Sequence, residues 1–326
     1  MKQNTMFPSL IQKFISDEEL QPLIKLVGYE DTARKLTVKT LIQYLVTAAA
    51  SEWKSLRYCA DVGSTAGLID VNYSTLSKKL GQLDYGLMKQ VFTLIVRKCN
   101  RITRRTLKIP NQLLLVDSTT VTVGKTRLPW AVYHGERSGI KLHVSFSLET
   151  HMPLHVIETT GLKHDAPIGR QLADPRFVLV EDRAYFSIKQ IDQYLVAEQD
   201  FVIRMKENVE LSHVKSLQRL PEKESNVTRD ITCRIGTIQS RSEKRHRVVF
   251  FRDLENREIR VVTSLRNVAA EVIADMYKAR WAIESFFRWI KQNLNVPVLF
   301  GTTENAVYNQ LFAALIAYVL LKWLYN

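Results

Sequence analysis

Leu113-Leu114-Leu115-Val116-Asp117, followed directly by Ser118-Thr119-Thr120-Val121-Thr122-Val123, is the stretch whose reading decides the fold. Before it, apolar residues recur at helical spacing, as in Val38, Leu41, Ile42, Leu45, Val46 and Ala49. Here a continuous apolar run ends on a carboxylate and gives way to alternation, the pattern of strands. The run predicts one strand tipped by Asp117, and the alternating segment a second strand ending before Gly124. Leu142, Val144 and Phe146, alternating with His143, Ser145 and Ser147, predict a third strand, and Leu154-His155-Val156-Ile157 a fourth. Asp165 reads as the cap of a helix from Ala166 to Asp174.

Phe177-Val178-Leu179-Val180-Glu181-Asp182 repeats the first pattern and again terminates in acid. Arg183-Ala184-Tyr185-Phe186 then leads into a helix through Gln193 and Tyr194, and Phe201-Val202-Ile203-Arg204 returns as a strand. Two apolar strands with acidic tips point to a site at the strand ends of an α/β sheet. Taken singly, each aspartate is as well explained as a helix cap.

The third acid comes from Tyr277-Lys278-Ala279-Arg280-Trp281-Ala282-Ile283-Glu284, running on to Lys291. Read as one helix at about 100° per residue, with Tyr277 at zero, Arg280 falls near −60°, Glu284 near −20° and Lys291 near −40°. Met276, Ala279, Ile283, Phe286, Phe287, Ile290 and Leu294 fall in a separate arc, the width of a face packed on a core. The charged stripe suits a nucleic-acid phosphate with a hard cation. A solvated face, with Glu284 paired to Arg280 or Arg288, satisfies the same wheel. Trp281 and Arg288 both lie away from the apolar arc, so an indole is expected on the wet side of the helix.

Asp182 and Glu284 are separated by far more chain than a strand and one connection need. The excess, residues 206–264, alternates in Ile231-Thr232-Cys233-Arg234-Ile235, Val248-Val249-Phe250-Phe251 and Ile259-Arg260-Val261-Val262. It reads as a β-rich insertion whose hairpin tip carries Arg241, Lys244, Arg245, His246 and Arg247. Residues 1–108 read instead as a helical domain, with Ser16-Asp17 and Glu19 as a helix start. That region ends in Arg97, Lys98, Arg101, Arg104, Arg105 and Lys108, a segment suited to contact with a DNA backbone.

Composition agrees with this division. The 326 residues, 46% of them hydrophobic, are enough for one large or two smaller cores. Lys and Arg number 46 against 33 Asp and Glu, a net charge of +13 that favours a polyanionic partner. An anionic membrane is the competing surface. The most apolar run, Leu311 to Tyr325, is shorter than the roughly 20 residues of a spanning helix and carries Lys322. A buried terminal helix is expected there. Pro8 and the acidic cluster near the N-terminus do not suit a signal peptide, so a cytoplasmic protein is expected. Cys59, Cys99 and Cys233 are widely spaced, without CxxC pairing, and are expected to be reduced and buried.

Tyr277, Arg280, Glu284 and Lys291 at this spacing resemble the Y-R-E-K pattern of the insertion-sequence-4 (IS4) family of bacterial transposases. Leu115-Val116-Asp117-Ser118-Thr119 is similar to the first-aspartate motif of that family. Asp182-Arg183-Ala184-Tyr185 is similar to the second, where Gly is commoner than Ala184. The resemblance covers about residues 110–326. It implies an RNase H-like fold, a five-stranded mixed sheet flanked by helices, in a catalytic domain of residues 109–326 that carries the β-rich insertion. It also implies a DDE set of Asp117, Asp182 and Glu284 holding two Mg²⁺ ions, with Mn²⁺ as a substitute. Asp117 would bridge the ions, which would activate the attacking oxygen and stabilise the leaving one.

Double-stranded DNA, both transposon-end inverted repeats and target, is the implied partner, bound by a homodimer. Tyr277, Arg280, Lys291, Trp281, Arg288, Arg183, Arg104, Arg105 and Arg245 are the residues expected on DNA. The implied reaction is cut and paste, with a hairpin intermediate in which Trp281 stacks on an unpaired base. Three alternatives stay open: a DNA-binding protein that has lost cutting, a nuclease of the same fold without strand transfer, and a tyrosine recombinase using Tyr277. The last has no use for the strand-tip aspartates.

Overall fold

A computed structural model describes residues 6–106, 112–217, 225–294 and 298–325. The chain begins with helices α1 (Met6–Phe14), α2 (Asp17–Leu26), α3 (Val38–Ala50), α4 (Leu56–Gly63), α5 (Tyr73–Gln82) and α6 (Tyr85–Thr106). Strands β1 (Leu113–Gly124), β2 (Arg137–Ser147) and β3 (Met152–Thr160) follow, then α7 (Ala166–Leu172), β4 (Val178–Glu181), α8 (Ile188–Val196) and β5 (Phe201–Arg204). Four further strands, β6 (Leu211–Ser216), β7 (Val227–Ile235), β8 (His246–Arg252) and β9 (Glu258–Thr263), precede α9 (Ala270–Lys278), α10 (Trp281–Asn293) and α11 (Glu304–Tyr325).

All the described strands join one sheet in the order β3-β2-β1-β4-β5-β9-β8-β7-β6. β1, β4 and β5 run parallel and β2 and β3 extend the sheet antiparallel, which is the five-stranded RNase H-like unit. The insertion is therefore not a separate module. Its last strand, β9, pairs antiparallel with β5 and carries β8, β7 and β6 outward from that edge. Leu113 to Val116 are buried on both faces, as expected for parallel strands covered by helices on each side.

The expectation of two strands across Leu113–Val123 is corrected to one. β1 is continuous, and Asp117 lies within it rather than at its tip. Its parallel pairing with β4 nevertheless ends at Val116–Glu181. From Asp117 onward β1 is paired with β2 alone, so a carboxylate in mid-strand still sits at the mouth of the parallel sheet.

The helix expected from Tyr277 to Lys291 is two. Ala279 and Arg280 form a tight turn in which Arg280 N–H donates to Tyr277 O at 3.1 Å and Ile283 N–H to Arg280 O at 3.1 Å. Such i to i+3 bonds shorten the turn without reversing the chain, and both residues stay right-handed helical, at φ −60°, ψ −19° and φ −53°, ψ −27°. The stripe survives the break for that reason. Ile283, Phe286, Phe287 and Ile290 are buried, each burial worth about 2 kcal/mol of apolar transfer.

α11 spans 22 residues and is long and apolar enough to cross a membrane, so the argument from a short run at Leu311–Tyr325 does not hold. Burial decides its role: 78% of its apolar window lies inside the protein. It packs chiefly on α6, α3 and α5, and Asn309 donates to Leu83 O at 2.8 Å. The N-terminal helices and the C-terminal helix thus share a core. Ser16 and Glu19 form a capping box at the helix start read from the sequence, and the three cysteines are free and buried.

Candidate active site

Three elements bring the acids together. Asp117 comes from β1, Asp182 follows the last residue of β4, and Glu284 sits in the first turn of α10. Arg280 lies between two of them, one guanidinium nitrogen donating to Asp117 Oδ2 at 2.8 Å and another to Glu284 Oε1. Tyr277 is buried, packs its ring near Phe251, and donates its hydroxyl to Asp182 Oδ1 at 3.2 Å. Lys291 is half-buried, and its ammonium donates to Thr120 O at 3.1 Å, tying the end of α10 to β1. All four residues of the stripe converge on the strand ends, and three of them meet the acids directly or form part of that set.

The electrostatics follow from burial. Asp117 is pushed up to about 6, first by burial, with the charges of Asp182 and Glu284 adding to it and Arg280 and the Ser118 amide opposing. Burial raises the Tyr277 phenol to about 12, reinforced by Asp182. Burial disfavours the charge on Arg280, yet Tyr277, Asp117, Glu284 and Asp182 hold its pKa above the ordinary value. Lys291 is lowered by burial.

A divalent metal is implied by this acid set, and the residues present fit one. Three carboxylates supply the hard oxygen donors that Mg²⁺ and Mn²⁺ take. Burial is what chiefly raises the proton affinity of Asp117, with the charges of Asp182 and Glu284 adding to it. The only positive charge bonded to Asp117 and Glu284 among the described residues is Arg280, whose Nε is buried without a hydrogen-bond partner. In this arrangement no group of three His, Cys, Asp or Glu side chains is gathered as metal ligands among the described residues, and Arg280 bridges two of the acids, Asp117 and Glu284.

The remaining sequence-predicted residues divide. Trp281 is 57% exposed, and Arg288 lies 5.7 Å from its ring, as the wheel required. Arg183 is exposed beside a hollow of ≈ 460 Å³ lined by Asp182, Arg183, Ala184, Lys206, Glu207 and Asn208. Arg104 and Arg105 belong to the last turn of α6, and their side chains, like all of Lys108, lie outside the described residues.

The basic hairpin tip is corrected. Arg245 is half-buried and donates to Thr232 O at 2.9 Å and His213 O at 2.7 Å, so its guanidinium is committed to the sheet. Arg247 lies fully inside, paired with Asp230 at 2.8 Å and donating to Leu265 O and Val268 O. β8 begins at His246, so Arg247 lies within the strand, while Arg245 just before it is tied to the backbone of β6 and β7.

Asp165 is corrected as well. It makes no side-chain cap bond at α7; its carboxylate turns back toward β1 and β2. Sequence reasoning also missed Arg204, whose side chain hydrogen-bonds Tyr277, and Glu181, a fully buried carboxyl. Gly169 explains how α7 packs on Glu181: an added Cβ would meet Glu181 Oε1 at 2.7 Å and Tyr185 Cδ1 at 2.9 Å. The acidic run Glu181-Asp182 was the available signal, and only the second acid had been assigned a task.

Residues 109–320 match the family described as "Transposase DDE domain". The chain is 58% identical over 326 residues to the probable transposase for insertion sequence element IS5377 of Geobacillus stearothermophilus, covering 100% of this chain and 86% of that protein. It is 27% identical over 266 residues to the putative transposase for insertion sequence element IS4SA of Synechocystis sp., covering 78% and 72% of the two chains. Among solved structures, the piggyBac transposase in its synaptic complex with hairpin DNA is similar at a TM-score of 0.49 and 11% identity, covering 97% of this chain and 75% of that one. The family match over residues 109–320 and the 58% identity over the whole chain place it among the DDE transposases of insertion sequences.

Proposed function

We propose that the protein binds the inverted-repeat ends of an insertion sequence as duplex DNA, cleaves them by phosphodiester hydrolysis and joins the resulting 3′-OH to target DNA. The observation that carries this reading is the approach of Asp117, Asp182 and Glu284 to one another, the first and third bridged by Arg280 and the second held by Tyr277. Asp117, Asp182 and Glu284 would hold two divalent ions, Mg²⁺ in the cell with Mn²⁺ as a substitute. Such ions activate the attacking oxygen and neutralise charge on the leaving one.

The protein's own part is positioning. Tyr277 orients Asp182 through its hydroxyl, and Lys291 fixes α10 against the strand that carries Asp117. Arg280, once its carboxylates are neutralised otherwise, is free to take a phosphate bidentately. Arg183, Arg288 and Lys206 flank the acids with exposed positive charge. The exposed Trp281 is placed to stack on a base turned out of the duplex, the step that a hairpin route requires. Arg104 and Arg105 add backbone contacts from the N-terminal helical region of residues 1–108. A homodimer on paired ends, working on DNA in the cytoplasm, completes the proposal.

The test uses a labelled duplex bearing one element end, with Mg²⁺. Asp117→Ala, Asp182→Ala and Glu284→Ala should each abolish cleavage and keep the mobility shift. Cleavage by any one of them removes that residue from the site. A shift with no product from the unaltered protein would instead make it a DNA-binding protein without cutting. Cleaved ends that are never joined to a target plasmid would make it a nuclease.

A further inference from the structure

Beyond Val116, β1 has lost its β4 neighbour, so the backbone that presents Asp117 is supported by the sheet on one side. The other face of the strand carries a polar cluster that the proposed chemistry does not use. Ser118 stands opposite His143 across the β1–β2 ladder, and Thr120 opposite Lys141, so Ser118, His143 and Lys141 share one face while Asp117 projects from the other. Asp165 closes this face. Its Oδ1 accepts from Ser118 Oγ at 2.9 Å and from Lys141 Nζ at 3.3 Å, with His143 Nδ1 at 3.4 Å. Lys141 also donates to Lys163 O at 2.9 Å, fixing the turn that delivers Asp165. Tyr185, from the Asp182-Arg183-Ala184-Tyr185 motif, lies behind it with its hydroxyl 3.3 Å from His143 Nδ1.

The link to the reacting side runs through one residue. Ser118 N–H donates to Asp117 Oδ1 at 2.8 Å, while the hydroxyl of the same Ser118 is held by Asp165. Burial lowers His143 to about 4, so the imidazole is neutral and the cluster's charges are those of Asp165 and Lys141. Their side chains are only 18% and 12% exposed, a setting in which a charge pair with satisfied hydrogen bonds fixes geometry.

We propose that Asp165 is a positioning residue of the active site. Through Ser118 it locks the strand and the amide that orient the Asp117 carboxylate for a divalent ion. The inference rests on the transposase reading of Asp117. Outer partners that orient a ligating carboxylate change metal affinity without touching the metal.

The test compares the unaltered protein with Ser118→Ala, Asp165→Asn and the double variant. Mn²⁺ affinity is read from loss of the free-ion electron paramagnetic resonance signal, end cleavage is read in parallel, and the melting temperature is taken without metal. Ser118→Ala and Asp165→Asn should each weaken Mn²⁺ binding by about tenfold or more, with end-DNA affinity unchanged. The double variant should be no worse than the weaker single one, since residues acting in series are not additive. Multiplying effects, or Mn²⁺ binding by Ser118→Ala equal to that of the unaltered protein, overturns the inference. Ser118→Ala decides alone if Asp165→Asn does not fold. Should the unaltered protein cut ends while both variants keep full Mn²⁺ affinity, the inference fails and the transposase reading stands. Should the unaltered protein not cut at all, both fall.

Discussion

Arg280 reaches Asp117 at 2.8 Å and Glu284 with its two terminal nitrogens, so one side chain bridges two of the acids proposed for the chemistry. The pairing joins residues far apart in sequence, from a strand and from the turn between two helices. It offsets part of the acids' charge. Removal of one partner from a buried pair leaves an uncompensated charge, a loss of several kcal/mol.

Arg280→Met should therefore lower the melting temperature in chelator and show a larger rise than the unaltered protein when millimolar Mg²⁺ is added. Because all three partners remain partly exposed, the destabilisation should fall below the ~3–5 kcal/mol of a fully buried pair. Differential scanning fluorimetry with and without metal measures both. An equal metal-induced rise in the two proteins would mean that Arg280 and the ion do not compete.

Glu181 supplies a pH prediction. Burial raises its carboxyl from 4.5 to about 8, with the Tyr194 hydroxyl as a weaker opposing influence. The folded protein thus holds a proton that the unfolded chain releases, so the stability tied to Glu181 is fully present below 4.5 and is lost as pH rises toward 8. Glu181→Gln should flatten the stability profile across that window and add about 1–3 kcal/mol at neutral pH. Denaturant melts at several pH values decide it. A profile of unchanged slope would show that Glu181 is ionised in the fold.

Trp281, at the start of α10, and Arg288, two turns on, form an exposed aromatic and cationic pair. Trp281→Ala should fold normally, nick the first strand of an end duplex at a near-native rate and stall before second-strand cleavage. The stall follows from loss of about 1–3 kcal/mol of base stacking. Time courses on a doubly labelled duplex separate the steps. Completion of both at the native rate would remove the stacking role.

Arg183 and Arg247 should behave oppositely although both are arginines. Arg183→Ala, at an exposed position, should reduce affinity for every duplex and flatten the slope of log affinity against log salt by about 0.9. Arg247→Ala leaves Asp230 buried and should cost about 3–5 kcal/mol of stability. Salt titrations and denaturant melts report these separately. A destabilised Arg183 variant with unchanged salt slope would contradict the first expectation.

Much of the protein was legible without coordinates wherever periodicity and chemistry coincide. The strand runs at Leu113–Val116 and Val178–Glu181, the acids beside them and the stripe of Tyr277, Arg280, Glu284 and Lys291 are local patterns, and local patterns survive folding. Even the break at Ala279–Arg280 left the stripe intact, because a tight helical turn preserves direction. Pairings between distant segments were not legible. That β9 would join β5 and merge the insertion into one sheet, or that α11 would bury itself against α3, α5 and α6, depends on which surfaces exclude water together, and such contacts leave no periodicity in the chain. Charge was the least legible property of all. Arg245 and Arg247 read like Arg183 in the sequence, and Asp165 read as a cap, because a charged side chain's role is set by the partners that tertiary structure places within hydrogen-bond reach. Residue types and spacing alone singled out the groups proposed for the chemistry; the fold decided that Asp117, Glu284 and Arg280 would meet, and that Asp165 would stand behind them, since desolvation and bond geometry exist only once the strands and helices have packed.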